Sequence, residues 1–340
     1  GALDDKGPLI ALLEAAEALV EDGSTPRRTF VIALGGDEEI GGTLGAAASA
    51  AAFSEAGHRF YAVFDEGSAI VSEMLSDVPV PLALVGTAEK GVMDIVIKAE
   101  GLGGHAAMPP KGSALGAVAK AIVRIERYQF PARRLHSVER FFRRIATRST
   151  SLARLVYRNA RLFWPILVRI LSARPTTNAL LRTTRAVTMA SGSERPNVLP
   201  DLASCTVNVR ILPGETVEST LGCFKRLLKG LPVSVALADP ESANDPLAET
   251  PDSHPGFAAI EAAVADAIPE ALTTPFLVTS TTDSRWYADL TDAVFRFAPM
   301  HLRGDDLDRV HGVNERLEVR NFHQMIQFYK SLIARTCWNE

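Results

Sequence analysis

Three consecutive acidic residues, Asp37, Glu38 and Glu39, follow an apolar run at 30–34 and are flanked on both sides by paired glycines. The run is short and rich in β-branched residues, so it predicts a buried strand that ends at the acids. An unpaired carboxylate at the rim of a core is costly, and glycines let the backbone turn sharply. The pattern therefore fits acids that face a metal ion or a substrate. A solvated acidic turn fits this stretch equally well.

Further carboxylates and one histidine lie at the ends of other predicted elements. These residues are Asp4, Asp5, Asp65 and His311. Carboxylates together with an imidazole suit zinc or a similar divalent ion. A hydrolytic site commonly adds a carboxylate that is not a ligand and that acts as general base toward a metal-bound water. Because Glu38 and Glu39 are adjacent on an irregular turn, one can bind metal while the other reaches the water.

Helices and strands alternate at both ends of the chain, which predicts an α/β fold with a parallel sheet. We predict helices at 8–21, 43–56, 257–267 and 321–336, and strands at 29–34, 59–64 and 293–297. In such sheets ligands bind beyond the carboxyl ends of the strands, which is where the acids lie.

The middle of the chain has a different pattern, typical of a small sheet with helices on one face. We predict strands at 92–99, 185–190, 203–212 and 233–237, and helices at 114–128 and 216–229. Residues 130–184 form an arginine-rich, mostly helical tract. We favour an amphipathic insertion packed on a sheet for this tract over a membrane contact.

Composition excludes several classes of protein. The 340 residues are 47% hydrophobic and 22% charged, an ordinary globular balance, and the length suggests about two domains. The net charge of -4 argues against a nucleic-acid partner. No apolar window is long enough for a membrane span. The three cysteines, Cys205, Cys223 and Cys337, cannot all pair and lack metal-finger spacing.

The compartment is poorly defined by the sequence. Free thiols favour a reducing compartment, and so a cytoplasmic location. Gly1 rather than methionine opens the chain close to a dense motif, so we expect the natural N-terminus to lie upstream. The absence of a signal peptide therefore carries little information.

Six motifs, in this order, resemble those of the co-catalytic dizinc metallopeptidases, the family of carboxypeptidase S, aminoacylase, carnosinase and glutamate carboxypeptidase. They are GALDDKGP at 1–8, GDEEIGG at 36–42, FDEG at 64–67, GGHAAMPP at 103–110, RPNVLP at 195–200 and RVHGVNE at 309–315. The resemblance covers essentially the whole chain. It is greatest to the carboxypeptidase S branch, which includes vertebrate relatives that make and break N-acyl amino acids.

The resemblance implies two domains. A zinc-peptidase catalytic domain of α/β class, with a mostly parallel sheet, would comprise residues 1–89 and 244–340. An inserted α+β, ferredoxin-like lid and dimerisation domain would comprise residues 90–243, with the helical insertion at about 130–184. The expected assembly is a homodimer formed through the lid.

The resemblance also implies a site for two divalent metal ions, with zinc as the expected metal. Asp4 would bridge the two ions, Glu39 and His311 would complete one site, and Asp65 would belong to the other. Glu38 would be the general base toward a metal-bridging water.

One departure from the family pattern affects the second site. The family's first metal histidine belongs to a His-x-Asp motif that would lie upstream of Gly1. In this chain the Asp65 site therefore lacks that ligand, the sheet lacks its opening strands, and we expect an N-terminal truncation. The family usually has a cis peptide after the bridging aspartate, so we predict one at Asp4–Asp5, although such bonds are costly.

Four residues match the family's substrate contacts. His105 would act from a dimer partner to stabilise the oxyanion. The alternative is a capping or core histidine in a glycine turn, and the matching GGHAAMPP context favours the functional role. Arg210 would grip the substrate carboxylate, which suits an arginine fork, and Asn197 would be a second contact. Arg285 lies in a loop near the substrate, and a structural turn explains that loop nearly as well.

These expectations combine into a metal-dependent amidohydrolase or carboxypeptidase that cleaves the amide bond beside a free carboxylate, in peptides or N-acyl amino acids. The apolar helical tract at 150–172 would suit a long acyl group. The alternative is a non-catalytic or inactive truncated member that serves as a binding or dimerisation module. A serine hydrolase would need a Gly-x-Ser-x-Gly elbow, and the sequence has none.

Overall fold

Two larger β-sheets and the helices packed on them organise the computed structural model, which describes residues 1–23, 25–303, 306 and 309–338. A two-stranded ribbon forms a third, separate sheet. No helix within these described ranges is long and apolar enough to cross a membrane.

The first part of the chain contributes two helices and three strands. They are α1 (Gly7–Glu21), α2 (Ala46–Glu55), β1 (Val63–Asp65), β2 (Ile70–Val71) and β3 (Leu82–Glu89). Pro8 lies in the first turn of α1, where its missing N–H leaves no intrahelical bond unmade. Ala11, Ala15 and Leu19 recur at helical spacing on the buried face of α1. The predicted helix at 8–21 is confirmed.

The middle part forms the second sheet and its helices. The elements are β4 (Gly91–Glu100), β5 (Gly104–His105), α3 (Ala114–Arg127), β6 (Thr184–Ser191), β7 (Val198–Leu199), β8 (Leu202–Ile211), α8 (Val217–Leu227) and β9 (Ser234–Leu237), with a helical insertion before β6. β4 and β8 alternate buried and more exposed residues, because one face of the sheet packs on the helices.

The insertion is helical, as predicted. It contains α4 (His136–Ile145), α5 (Ala153–Arg158), α6 (Trp164–Leu171) and α7 (Pro175–Asn178). The inner residues of these helices form a hydrophobic cluster with the buried strand β3. The cluster includes Phe141, Ile145 and Leu167 from the helices and Leu84 from β3. The favoured interpretation, an insertion packed on a sheet, agrees with this cluster.

The last part returns to the first sheet. It contains α9 (Pro255–Ala267), β10 (Leu272–Val278), β11 (Val294–Arg296), β12 (His301–Leu302) and α10 (Val319–Ile333). The predicted helices at 257–267 and 321–336 and the strand at 293–297 are confirmed with small shifts in their ends.

The first sheet runs in the order β1-β11-β3-β2-β12, and β10 also pairs with β3. The β1–β11, β10–β3 and β12–β2 pairs are parallel, while β3 is antiparallel to β11 and β2. The sheet is therefore mixed, with more parallel than antiparallel pairs, and the α/β class is confirmed. The second sheet runs β6-β8-β4-β9 with antiparallel pairing. The division of the chain into domains at residues 89 and 243 stays a prediction.

The predicted strand at 29–34 is wrong. This segment has no regular secondary structure and pairs with no strand in the described part of the chain. It lines a cavity of about 490 Å³ that residues 60–66 also line, so open space lies where a neighbouring strand would have to pair. An apolar pattern favours a strand, but a strand forms only where a partner supplies hydrogen bonds to its backbone. The predicted strand at 59–64 shortens and shifts to Val63–Asp65, whose one strand partner among the described residues is β11.

Candidate metal centre and active site

Asp4, Glu39 and His311 come together from distant parts of the chain. Their ligand atoms all lie within 4.8 Å of one another. Asp4 Oδ2 is 2.9 Å from His311 Nε2, and Glu39 Oε1 is 3.4 Å from His311 Nδ1. All three side chains are partly exposed, so an ion from solvent can reach them. Two carboxylates and an imidazole form a donor set that suits zinc.

Asp4 is held by Glu315. The Oε1 atom of Glu315 accepts the backbone N–H of Leu3 at 2.6 Å and that of Asp4 at 2.8 Å. Leu3 itself is buried, which anchors the segment ahead of α1. The Asp4–Asp5 peptide bond is cis, as predicted. These contacts fix the backbone from which the Asp4 carboxylate projects.

His311 has an unusual backbone conformation. Its φ angle is +59°, in the left-handed region that residues other than glycine seldom adopt. Non-glycine residues in this region cluster at functional sites, where the surroundings hold them. The conformation therefore agrees with a binding role for His311.

The three acidic residues of the turn, Asp37, Glu38 and Glu39, have different roles. Residues Glu38–Ile40 form one 3₁₀ turn, and the Asp37 carboxylate accepts the backbone N–H groups of Leu44 at 2.7 Å and Gly45 at 2.9 Å. Asp37 therefore holds the turn closed. Glu39 belongs to the three-residue group, and Glu38 remains for another role.

Gly42 is required by the geometry of this turn. Its φ angle is +65°, and a Cβ atom built there would lie 1.9 Å from Oδ1 of Asp283. Any side chain would therefore both strain the backbone and displace Asp283. The close approach places Asp283 beside the acidic turn.

Glu38 lies among like charges. Burial, followed by the neighbouring carboxylates in the order Asp283, Glu39, Asp4 and Asp65, raises the pKa of Glu38 to about 7. Burial and the Asp65 carboxylate, opposed by the Arg285 guanidinium, raise the pKa of Asp283 to about 6. The carboxylates around Glu38 therefore disfavour its charged form.

Asp65 ends β1 at the same edge of the first sheet. Its Oδ2 atom accepts the backbone N–H of Ser284 at 2.7 Å. Burial, with a hydrogen bond to the Asp65 carboxyl, raises the pKa of Glu66 far above its ordinary value. Asp65 is outside the three-residue group, but it lines the same cavity as Asp4 and Glu38. The concentration of carboxylates at this edge fits the binding of divalent cations, which would offset their mutual repulsion.

Arg285 supports the acidic turn. Its Nη2 atom donates to the Gly41 carbonyl at 2.8 Å, and its Nη1 atom donates to Asn244 Oδ1 at 3.3 Å. The indole N–H of Trp286 also donates to the Gly41 carbonyl, at 3.2 Å. Arg285 therefore has a structural task here, and its role in substrate binding stays a prediction.

His105 and Asn197 are neighbours on the two-stranded ribbon of β5 and β7. His105 pairs with Val198, and its Nδ1 atom accepts the backbone N–H of Ala107 at 3.1 Å. The backbone carbonyl of Asn197 accepts the N–H of Ala106 at 3.0 Å. His105 is exposed and stands outside the metal-ligand group. Its action from a partner subunit stays a prediction.

Arg210 lies on β8, opposite Val92 of β4. Val92 follows the end of β3 by three residues, so Arg210 lies near the point where the chain passes from the first sheet to the second. Burial lowers the pKa of Arg210, and the carboxylates of Asp94 and Glu89 act in the opposite direction. Its Nε atom donates to Asn208 Oδ1 at 3.3 Å. The proposed grip on a substrate carboxylate stays a prediction.

Residues 1–335 match the family model "Peptidase family M20/M25/M40". The chain belongs to this family. The resemblance on which the sequence analysis relied is thereby confirmed.

Individual relatives agree with the family. The chain is 35% identical over 338 residues to the N-fatty-acyl-amino acid synthase/hydrolase PM20D1 of Xenopus tropicalis, covering 99% of this chain and 65% of that protein. It is 34% identical over 339 residues to a probable carboxypeptidase S-like protein of Dictyostelium discoideum, covering 99% of this chain and 64% of that protein. The chain thus spans just under two thirds of the length of these relatives.

The fold agrees with a solved structure. An M20 family metallo-carboxypeptidase from Sulfolobus solfataricus superposes with a TM-score of 0.65 at 15% identity, over 98% of this chain and 76% of that chain. At this identity the likeness shows the shared fold.

Sequence reasoning missed the residues that support the ligands. Glu315 holds Asp4, the Ser284 N–H holds Asp65, and Asp283 raises the pKa of Glu38. Glu315 closes the motif at 309–315, so its position beside His311 was the available signal. Nothing in the local sequence marks the backbone of Ser284 as a donor to a strand more than two hundred residues away.

Proposed function

We propose that the protein is a metal-dependent amidohydrolase that cleaves the amide bond beside a free carboxylate, in peptides or N-acyl amino acids. The grouping of Asp4, Glu39 and His311 carries this proposal, because it gives a metal-ligand set with Glu38 close by. The relatives named as an N-fatty-acyl-amino acid synthase/hydrolase and as a carboxypeptidase S-like protein support the substrate class.

The carboxylates of the site would bind two metal ions. The combination of carboxylate and imidazole ligands favours zinc. Asp4, Glu39 and His311 would hold one ion, and Asp65 with Asp4 would contribute to the second. When bound, the ions polarise the scissile carbonyl and lower the pKa of the attacking water.

Glu38 serves as the general base. It accepts a proton from the attacking water and delivers it to the amine that leaves. Its raised pKa reflects burial and four neighbouring carboxylates. Metal ions bound to the neighbouring carboxylates would offset their negative charge and so lower the pKa of Glu38. Glu38 would then be ionised at neutral pH and able to accept the proton.

The second sheet and its ribbon supply the substrate contacts. Arg210 and Asn197 would bind the free carboxylate, and His105 would stabilise the oxyanion from the partner subunit of a homodimer. An arginine offers a planar pair of donors that matches a carboxylate. This assignment predicts that substrates without the free carboxylate react poorly.

The experiment compares an N-acyl-phenylalanine with its C-terminal amide, using the full-length protein supplied with Zn²⁺. We expect hydrolysis of the acid, and hydrolysis of the amide that is roughly a hundredfold slower because Arg210 loses its charged partner. Glu38→Gln should lower kcat by a factor of about 10²–10⁴ and retain metal, while the exposed Glu14→Gln serves as the matched control. Equal rates on both substrates would overturn the carboxylate requirement. Protein that binds no metal and hydrolyses neither compound would support a non-catalytic binding module instead.

A further inference from the structure

The helical insertion carries a large, unbalanced positive charge. Residues 140–193 contain eleven arginines and no lysine, aspartate or glutamate, although the whole chain has a net charge of -4. Some of these arginines face inward: Arg140 pairs with Asp252 and Arg144 pairs with Glu261. Among the others, Arg143 of α4 and six arginines that follow α4 are exposed and have no ion pair with any residue in the described ranges. Those six are Arg148, Arg154, Arg158, Arg161, Arg169 and Arg174.

The same helices expose aliphatic side chains. Leu162, Ile166 and Ile170 recur at four-residue spacing and are 75%, 49% and 60% exposed. On the opposite side of α6, Leu167 is buried and packs in the cluster formed with β3, and Val168 packs against that cluster. α6 therefore has apolar residues on its outer as well as its inner side, with Arg169 as its charged residue. An apolar outer side suits an apolar environment there.

α5 has the same character. Leu155 is 55% exposed and the preceding Leu152 is 86% exposed, while Val156 and Tyr157 pack on the inner cluster. Because α5 and α6 pack on one cluster, their outer residues face away from it. We call this surface the basic–apolar face: the outer leucines and isoleucines of 152–170 with the six exposed arginines.

We propose that the basic–apolar face docks on the surface of an anionic lipid bilayer. Helices that lie in a membrane interface combine an apolar side with flanking basic residues, and their binding adds apolar burial to attraction by anionic lipids. Arginine stems cover apolar surface while the guanidinium groups reach phosphate oxygens, which they bind as a planar fork. The face offers both components within α5, α6 and the segments that flank them.

Other occupants fit less well. A second copy of the chain would bring six unpaired arginines against the same six in a two-fold interface, which is repulsive. Single-stranded nucleic acid is bound on exposed aromatic rings, whereas Phe163 and Trp164 are only partly exposed, and Tyr157 and Trp164 pack on the inner cluster. Five exposed aliphatic side chains have no use against a polyanion.

The test measures partitioning of the full-length protein onto vesicles of phosphatidylcholine, with and without phosphatidylserine at about one lipid in three. We expect binding to the anionic vesicles alone, and weaker binding as salt is raised. The triple variant Arg154→Gln, Arg158→Gln, Arg169→Gln should lower the partition coefficient on the order of a hundredfold, since each arginine near the surface contributes about fivefold. The triple variant Leu162→Ser, Ile166→Ser, Ile170→Ser should lower it at least about tenfold.

Matched controls alter exposed residues elsewhere. The apolar control is Val20→Ser, Val123→Ser, Val319→Ser, and the charge control is Lys98→Gln, Lys120→Gln, Lys229→Gln. Both should bind vesicles like the parent protein, and circular dichroism should show that every variant is folded. Equal binding to neutral and anionic vesicles, absence of binding to either, or unchanged binding by folded test variants would overturn the proposal. None of these readouts depends on hydrolytic activity, so the proposal can fail without the proposed function failing.

Discussion

Replacing Glu315 with alanine should weaken metal binding although Glu315 is no ligand. Its Oε1 atom accepts two backbone N–H groups, those of Leu3 and Asp4, at 2.6 and 2.8 Å. These bonds fix the segment that presents the Asp4 carboxylate to His311 and Glu39. In Glu315→Ala both N–H groups lose their acceptor, and the segment is free to move away from the other two ligands.

The size of the effect follows from the number and type of bonds lost. A hydrogen bond to a charged group contributes about 1.5–3 kcal/mol. The Glu315 side chain is 12% exposed, so water can replace part of the loss. About 1.4–2.8 kcal/mol then remains, which corresponds to a 10- to 100-fold weaker affinity for the first metal ion. Glu315→Gln keeps an oxygen acceptor and loses only its charge, so we expect a smaller loss, less than about tenfold.

The assay is a competition between the full-length protein and a chromophoric zinc chelator. Glu318→Ala is the matched control, because Glu318 lies three residues further on, is exposed, and makes no side-chain capping bond to α10. The expected order of affinity is the parent protein and Glu318→Ala together, then Glu315→Gln, then Glu315→Ala. If folded Glu315→Ala bound zinc as tightly as Glu318→Ala, the reasoning that Glu315 positions a ligand would be refuted.

Three further predictions concern the acidic turn at 37–42 and Lys90, which lies between β3 and β4. Glu38→Gln should lower kcat by a factor of about 10²–10⁴ in steady-state assays without changing zinc stoichiometry, and a loss of zinc would contradict its role as base. Gly42→Ala should also reduce turnover, because its methyl group would displace Asp283; wild-type kinetics would contradict the close approach. Burial lowers the pKa of Lys90 to about 7, so between pH 7 and about 10 the unfolded chain binds a proton that the folded chain does not. The free energy of unfolding of the parent protein minus that of Lys90→Met, measured by urea denaturation, should rise by up to about 1.4 kcal/mol per pH unit in that window. A difference that does not change with pH would contradict this.

The sequence predicted elements best where local pattern and tertiary environment agree. β4 and β8 alternate between the two faces of one sheet, and their predicted positions are confirmed. β3 and β10 were missed, because strands buried on both faces show no alternation, and a short apolar run alone does not distinguish a strand from a buried helix. The segment 29–34 shows the converse error: its pattern is that of a strand, but it pairs with no strand in the ranges that the structure describes.

At the candidate site, too, part of the arrangement could be predicted from the sequence and part could not. Motif resemblance named Asp4, Glu39 and His311 together, and the structure brings these three side chains into one group. It could not name Glu315 as the support of Asp4, because that contact joins residues more than three hundred positions apart. Supporting contacts of this kind depend on tertiary placement, which local sequence does not encode.

The central claim is that Asp4, Glu39 and His311 bind a metal ion beside Glu38. A crystal of the full-length protein grown with Zn²⁺ and measured at the zinc absorption edge tests it most directly. The account predicts an anomalous peak within about 2.0–2.2 Å of a ligand atom from each of the three residues. An ordered site with no peak there, or zinc bound only at other residues, would contradict it.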